Sequence, residues 1–178
     1  EEKQAKVLNI LEECEKAGNP DMVYQFCSTS KVTFAGAGIA ALSSSPANIA
    51  DIKSKVQWST IGPDKINQLR HVRFFGDADG LREHMKKHAA IIRPKFEEVI
   101  ETLDKELSEL EIAQWSHPTG GYFVSFDAME GCAKKIVAKC KEAGLVLTGA
   151  GAAFPYGKDP KDSNIRIAPT MPTMDELK

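Results

Sequence analysis

The alternation of apolar and polar positions predicts a chain of helices with short strands between them. Over residues 4–17, Val7, Ile10, Leu11 and Cys14 recur on one helical face, and Gly18 with Asn19-Pro20 supplies the stop. Residues 23–27 form a short apolar run that predicts a buried strand, and 32–37 predict a second one. Ser44-Ser45-Pro46 opens a helix through residue 58, with Pro46 in its first turn and Ile49, Ile52 and Val56 on one side. Gly62-Pro63 starts a shorter helix running to residue 74. The longest pattern covers 79–110, where Leu81, Met85, Ile92, Phe96, Val99, Leu103, Leu107 and Leu110 recur at steps of mostly three, four or seven. Such a helix would span roughly 48 Å, longer than a small domain is wide, so it is expected to bridge two domains. Pro94 interrupts it and removes one backbone hydrogen bond, either as a hinge or as a tolerated bend. Beyond it, strand-like runs at 112–115 and 121–126 flank the turn residues His117-Pro118-Thr119-Gly120. A helix over 131–143 ends at Gly144, strands follow at 145–147 and 164–168, and a Gly/Pro-rich loop over 148–163 separates those two. Thr173 and Glu176 have the spacing of a capping box. The fold class these elements predict is α/β.

Composition narrows the function classes. With 178 residues, 42% hydrophobic and 27% charged, the chain has an ordinary globular balance. A net charge of -2 gives no electrostatic case for nucleic acid or for an anionic membrane surface. No apolar run reaches the ~18 residues of a membrane span, and a cytoplasmic protein is expected. The cysteines Cys14, Cys27, Cys132 and Cys140 show no C-x-x-C spacing, and Cys132 and Cys140 are expected to serve as small hydrophobes on a helix face. His84 and His88 stand at i, i+4, yet only Glu83 is near enough in sequence to complete a ligand set, so no metal is expected. The chain opens without methionine inside a helical pattern and closes on a capping box with barely a turn of helix after it. Both ends suggest the C-terminal portion of a longer polypeptide.

The stretch over 28–39 concentrates candidate chemistry: Ser28, Ser30, Lys31, Gly36 and Gly38 fall in one turn. A lysine whose pKa is lowered from about 10.4 by desolvation or by neighbouring cations can condense with a carbonyl. Hydroxyls beside it and glycines that let backbone approach a ligand suit an anionic, aldehyde-bearing cofactor. Two other motifs overlap here. Ser28 to Lys31 fits S-x-x-K, but the chain has no Ser-Asp-Asn and no Lys-Thr-Gly. Gly36 to Ala41 fits a loose dinucleotide fingerprint, but the next acid, Asp51, comes too early for a ribose contact.

Ser28-Thr29-Ser30-Lys31 with its glycine-rich continuation, followed downstream by Asn164-Ile165-Arg166-Ile167-Ala168-Pro169, resembles the cofactor lysine and substrate arginine motifs of class I/II aminotransferases of fold type I. The likeness is to the bacterial aspartate aminotransferase-like branch and runs over about residues 3–178. It implies pyridoxal 5'-phosphate held by Lys31 as a Schiff base, with the same lysine moving the substrate's proton. It also implies Ser28 on the cofactor phosphate, with Ser30 as a further candidate beside it, and Arg166 on the substrate carboxylate. Many relatives carry a second phosphate-binding arginine eight residues after the lysine, and Ile39 stands there in this chain. The phosphate would then rely on hydroxyls, backbone amides or residues outside the chain. The implied architecture is the end of a large cofactor domain (1–78), an interdomain helix (79–110) and a truncated small α+β C-terminal domain (111–178). Intact members are about twice this length or more. They are homodimers acting on amino acids and 2-oxo acids, here expected to be dicarboxylic. The alternative is a non-catalytic interaction or regulatory module derived from that fold.

Overall fold

A computed structural model of the chain describes residues 7–178. In order its elements are α1 (Ile10–Lys16), β1 (Gln25–Ser28), β2 (Ala40–Ser43), α2 (Pro46–Ser59), α3 (Lys65–Phe75), α4 (Ala78–Leu107), β3 (Ala113–Trp115), β4 (Val124–Ala128), α5 (Ala133–Glu142), β5 (Asn164–Ile167) and α6 (Met174–Leu177). The chain divides into two compact units, residues 7–89 and 90–178, with the division inside α4.

In the first unit the helix starts are set by side-chain caps, as their sequences dictate. Asn9 accepts from the backbone of Leu11 at α1, Ser45 from Asn48 at α2 with Pro46 in the first turn, and Asp64 from Asn67 at α3. β1 and β2 pair antiparallel from Gln25↔Ser43 to Ser28↔Ala40. Residues 29–39 are therefore the loop at the end of a two-stranded ribbon. Phe34 from this loop meets Phe74 edge-on at 5.1 Å and stacks on Phe75 at 5.7 Å, and His84 of α4 lies edge-on to Phe75 at 5.1 Å.

The second unit is a three-stranded antiparallel sheet in the order β3-β4-β5, with α5 and the C-terminal part of α4 packed on it. Alternation along β4 buries Val124 and Phe126 and leaves Ser125 and Asp127 outward. Phe126, Ala133 and Ile165 form the core, and Leu103, Leu107, Trp115, Ile136 and Val137 close round it. The Trp115 indole donates to Asp104 at 2.8 Å, which ties β3 to α4. Lys95 donates to the carbonyls of Thr170 and Pro172 at 3.0 and 2.6 Å and holds down the segment before α6. The expected capping box of Thr173 and Glu176 is formed.

Four sequence expectations need correction. The first helix begins at Ile10, because Asn9 caps it there and 7–9 are not helical, while residues 4–6 of the expected span lie outside the described residues. The strand near 23–27 is β1, but it is exposed rather than buried, since only one neighbour pairs with it and Phe26 stays 76% exposed. Residues 32–37 are turns, not a strand: the amides of Val32 and Thr33 both donate to the Thr29 carbonyl, and that of Ala37 donates to Phe34. Residues 145–147 have no strand partner and run as irregular chain. α4 continues unbroken through Pro94 and is followed by a single 3₁₀ turn over Ser108–Leu110. Among the described residues, no helix is long and apolar enough to cross a membrane.

Candidate active site

The β1–β2 ribbon brings Ser28, Ser30 and Lys31 together at one end. The Thr29 amide donates to the Ile39 carbonyl at 2.8 Å, which carries the ladder one step past Ser28 before the chain turns. The Ser28 and Ser30 hydroxyls lie 2.6 Å apart, and the Ser30 amide donates to Ser28 Oγ at 3.1 Å. Both serines are exposed, so their hydroxyls remain open to an anionic ligand. The returning arm passes close behind them: a Cβ added to Gly38 would lie 2.7 Å from Ser30 Oγ and 2.8 Å from its Cα and N. Only glycine fits there. Gly36, at φ +73°, makes the turn that sends the chain back.

Ile39 has both backbone groups engaged inside the loop. Its amide donates to Thr29 Oγ1 at 2.9 Å and its carbonyl accepts from the Thr29 amide. The position that carries an arginine in many resembling proteins thus closes the loop here and offers no cation. Hydroxyl donors and an amine at one loop end fit an aldehyde-bearing phosphate ester by the chemistry of the donor set, with Ser28 and Ser30 as the donors this chain itself supplies.

Arg166 belongs to the second unit. It lies in β5 opposite Ser125, and its guanidinium carbon is 4.4 Å above the centre of the Phe123 ring. Its Nε is buried with no hydrogen-bond partner in the described structure. Alternation buries Ile165 and puts Arg166 on the other face. The strand is positioned by two polar anchors at its start. Buried Asn164 donates to Ser125 Oγ at 2.9 Å and to Asp127 at 2.8 Å. Asp159 accepts the backbone amides of Ser163 and Asn164 at 2.7 and 2.8 Å and of Lys161 at 2.9 Å. These bonds, that from Asn164 foremost, hold the Asp159 carboxyl below its ordinary pKa.

Sequence reasoning gave no role to Thr29, Thr33, Asn67, His71, Phe123 or Asp159. The available signal was Asn67 and His71 at i, i+4 on α3. A surface groove of about 450 Å³ runs along α3 between Ile66, Leu69, Arg70, Arg73 and Phe74, and includes no residue of the 28–39 loop. Among the described residues, no three His, Cys, Asp or Glu side chains gather as a metal set.

Comparison with known proteins is consistent across sequence and structure. The family model described as Aspartate amino-transferase matches residues 1–178. The chain is 46% identical over 172 residues to the aspartate aminotransferase of Corynebacterium glutamicum, covering 97% of this chain and 40% of the relative. It is 52% identical over 171 residues to a Mycolicibacterium smegmatis protein carrying an aminotransferase name, covering 96% of this chain and again 40% of the relative. The chain therefore spans about 40% of the length of these curated relatives. Among solved structures, an aspartate transaminase from Corynebacterium glutamicum superposes with a TM-score of 0.93 at 45% identity, over 98% of this chain and 41% of that one. The α-aminoadipate aminotransferase LysN of Thermus thermophilus, solved with N-(5'-phosphopyridoxyl)-L-leucine, superposes with a TM-score of 0.77 at 19% identity, over 98% of this chain and 43% of that one, and shares the fold. A match along the whole chain makes this chain a member of the aspartate aminotransferase family.

Proposed function

We propose that the chain acts as the carboxyl-terminal part of a pyridoxal-phosphate-dependent aminotransferase that moves an amino group between an amino acid, aspartate in the first instance, and a 2-oxo acid. The observation that carries this reading is the paired Ser28 and Ser30 hydroxyls, 2.6 Å apart, immediately before Lys31 in a loop closed by the Thr29 to Ile39 bond. When bound, the cofactor supplies the electron sink for breaking a bond at the substrate's α-carbon. Lys31 is the amine that anchors the cofactor's aldehyde and carries the proton of the transfer, from its Nζ, to and from the substrate carbon. Ser28 and Ser30 donate to the phosphate, with the backbone of the loop behind them. Arg166 offers a planar fork to the substrate carboxylate, and the Phe123 ring beneath it limits how the fork can turn.

Residues 1–78 are assigned to the cofactor domain, 79–110 to the interdomain helix and 111–178 to the small domain. The homodimer, the dicarboxylic substrates and the cytoplasmic setting belong to the same proposal and rest on the family likeness. Lys31→Ala in the full-length protein tests the core of it. The visible absorbance of the lysine-bound cofactor and the turnover of aspartate with 2-oxoglutarate should both be lost. An unchanged absorption band would mean that another lysine holds the cofactor.

A further inference from the structure

Behind the lysine loop lies a closed circuit of hydrogen bonds that none of the assigned roles uses. The Ile39 amide is 2.9 Å from Thr29 Oγ1, Thr29 Oγ1 is 3.0 Å from Thr33 Oγ1, and Thr33 Oγ1 is 3.0 Å from His71 Nε2. His71 Nδ1 is in turn 2.9 Å from the Asn67 carbonyl. The two ends of the circuit have a fixed direction. An amide nitrogen only donates and a carbonyl only accepts, so Thr29 accepts from Ile39 and His71 Nδ1 carries a hydrogen for Asn67. Between these ends Thr33 Oγ1 is shared between His71 Nε2 and Thr29, where it donates to the hydroxyl at 3.0 Å or to the carbonyl at 3.1 Å. The Asn67 side chain closes the circuit by donating to the carbonyls of Ala37 and Gly38 at 2.9 and 3.4 Å. Its Oδ1 is left buried without a partner, so the amide is oriented toward the loop and not toward its own helix.

The circuit therefore grips both arms of the loop, Thr29 and Thr33 before the turn and 37–39 after it, from one point on α3. His71 is 6% exposed in a unit whose other side chains are largely exposed, and its ring also meets Phe34 at 5.2 Å. A buried histidine bonded at both nitrogens is a rigid support. Lys31 lies between Thr29 and Thr33, the two residues held. A lysine reaches its target through four rotatable bonds, so the position and direction of its Cα decide where the amine arrives.

We propose that His71, acting through Thr33 and Thr29, is a positioning residue for Lys31: it fixes the backbone on either side of the lysine so that the amine meets the cofactor and the substrate carbon in one geometry. This rests on the reading of Lys31 as the cofactor lysine. The test uses the full-length protein loaded with pyridoxal phosphate and three variants. His71→Phe keeps a ring against Phe34 and removes both nitrogens. Thr33→Val keeps the shape and removes the hydroxyl. His71→Gln restores a side-chain hydrogen-bonding group toward Thr33. His71→Phe and Thr33→Val are each expected to lower kcat by about tenfold or more while KM for the amino acid changes less than about threefold. Both should also shift the pH midpoint of the visible absorbance of the lysine-bound cofactor, and His71→Gln should recover part of both effects. A fall in Tm with kcat and the absorbance midpoint at wild-type values would overturn the proposal and leave a structural histidine. Should His71→Phe fail to fold, Thr33→Val decides on the same two readouts. The underlying reading fails separately, by the absorption band surviving in Lys31→Ala.

Discussion

The Arg166 guanidinium carbon lies over the Phe123 ring, 4.4 Å from its centre, while its Nε is buried without a partner among the described residues. A side chain in ordinary contact with water would not leave that donor unmatched. The substrate role proposed for Arg166 would give this face a carboxylate acceptor. In the full-length protein, Arg166→Lys should raise KM for the amino acid and the oxo acid alike by roughly tenfold or more, equivalent to about 1.4 kcal/mol, since a point charge replaces a two-pronged donor. Cofactor absorbance should not change. Wild-type KM values for both substrates would show that the side chain has no carboxylate to hold.

Gly38 offers a sharper steric test in the other unit. A methyl group there meets Ser30 Oγ, Cα and N at 2.7–2.8 Å, and two of those atoms are backbone, which cannot swing aside. Gly38→Ala must push the two arms of the loop apart at the residue before Lys31, at a cost of about 1–3 kcal/mol. The expected result is a lower Tm together with weaker cofactor binding, measured by absorbance on titration with pyridoxal phosphate. Cofactor affinity at the wild-type level would mean that Ser30 and Lys31 are not positioned by this contact.

Local signals carried most of the element list, and long-range ones were what the sequence hid. Ser45-Pro46, the periodic leucines of α4 and the Thr173–Glu176 box act within a turn or two, and each formed where its chemistry placed it. The segment 32–37 misled because Val32 and Phe34 alternate like strand residues. What decides its shape is Thr29, whose carbonyl and hydroxyl gather the following residues into turns, and α3, some 40 residues on, which supplies the ring partners of Phe34. His71 was invisible for the same reason, since its partner Thr33 is 38 positions away. The roles proposed for Lys31 and Arg166 come only from family likeness, because a lysine after serines and an arginine in a short strand are common on any surface.

His84 gives a pH dependence with a definite sign. Burial pushes its imidazole below the ordinary value of 6.5, and the nearby His88 and Lys87 add to the shift. The folded state then binds this proton less readily than the unfolded chain. The stability it contributes is complete above about pH 6.5 and declines as pH falls below that toward the depressed folded value. Because the ring sits edge-on to Phe74 and Phe75, His84→Phe keeps an aromatic partner and removes the titration. Tm measured between about pH 7.5 and 5.5 should fall less in His84→Phe than in the parent protein. Equal slopes would place the acid sensitivity elsewhere.

Asp159 links the loop before β5 to the arginine within it. Oδ1 takes the Lys161 amide, and Oδ2 takes the amides of Ser163 and Asn164. An asparagine cannot replace it, because whichever way its amide turns, the NH2 group faces at least one backbone N–H. Asp159→Asn should therefore loosen the start of the strand, where Asn164 is anchored to Ser125 and Asp127, and with it the register of Arg166 against Ser125. Two outcomes are expected in the full-length protein. The amides of Ser163 and Asn164 should exchange faster with solvent, and KM for both substrates should rise while the absorbance of the bound cofactor stays constant. In the parent protein the same loosening should appear on acidification. The carboxyl is held below its ordinary value, so its contribution is present above an unfolded value near 3.8 and is lost as pH falls through the lower folded one. Exchange at those two amides that is the same in Asp159→Asn as in the parent would show that the strand holds its place without the carboxylate.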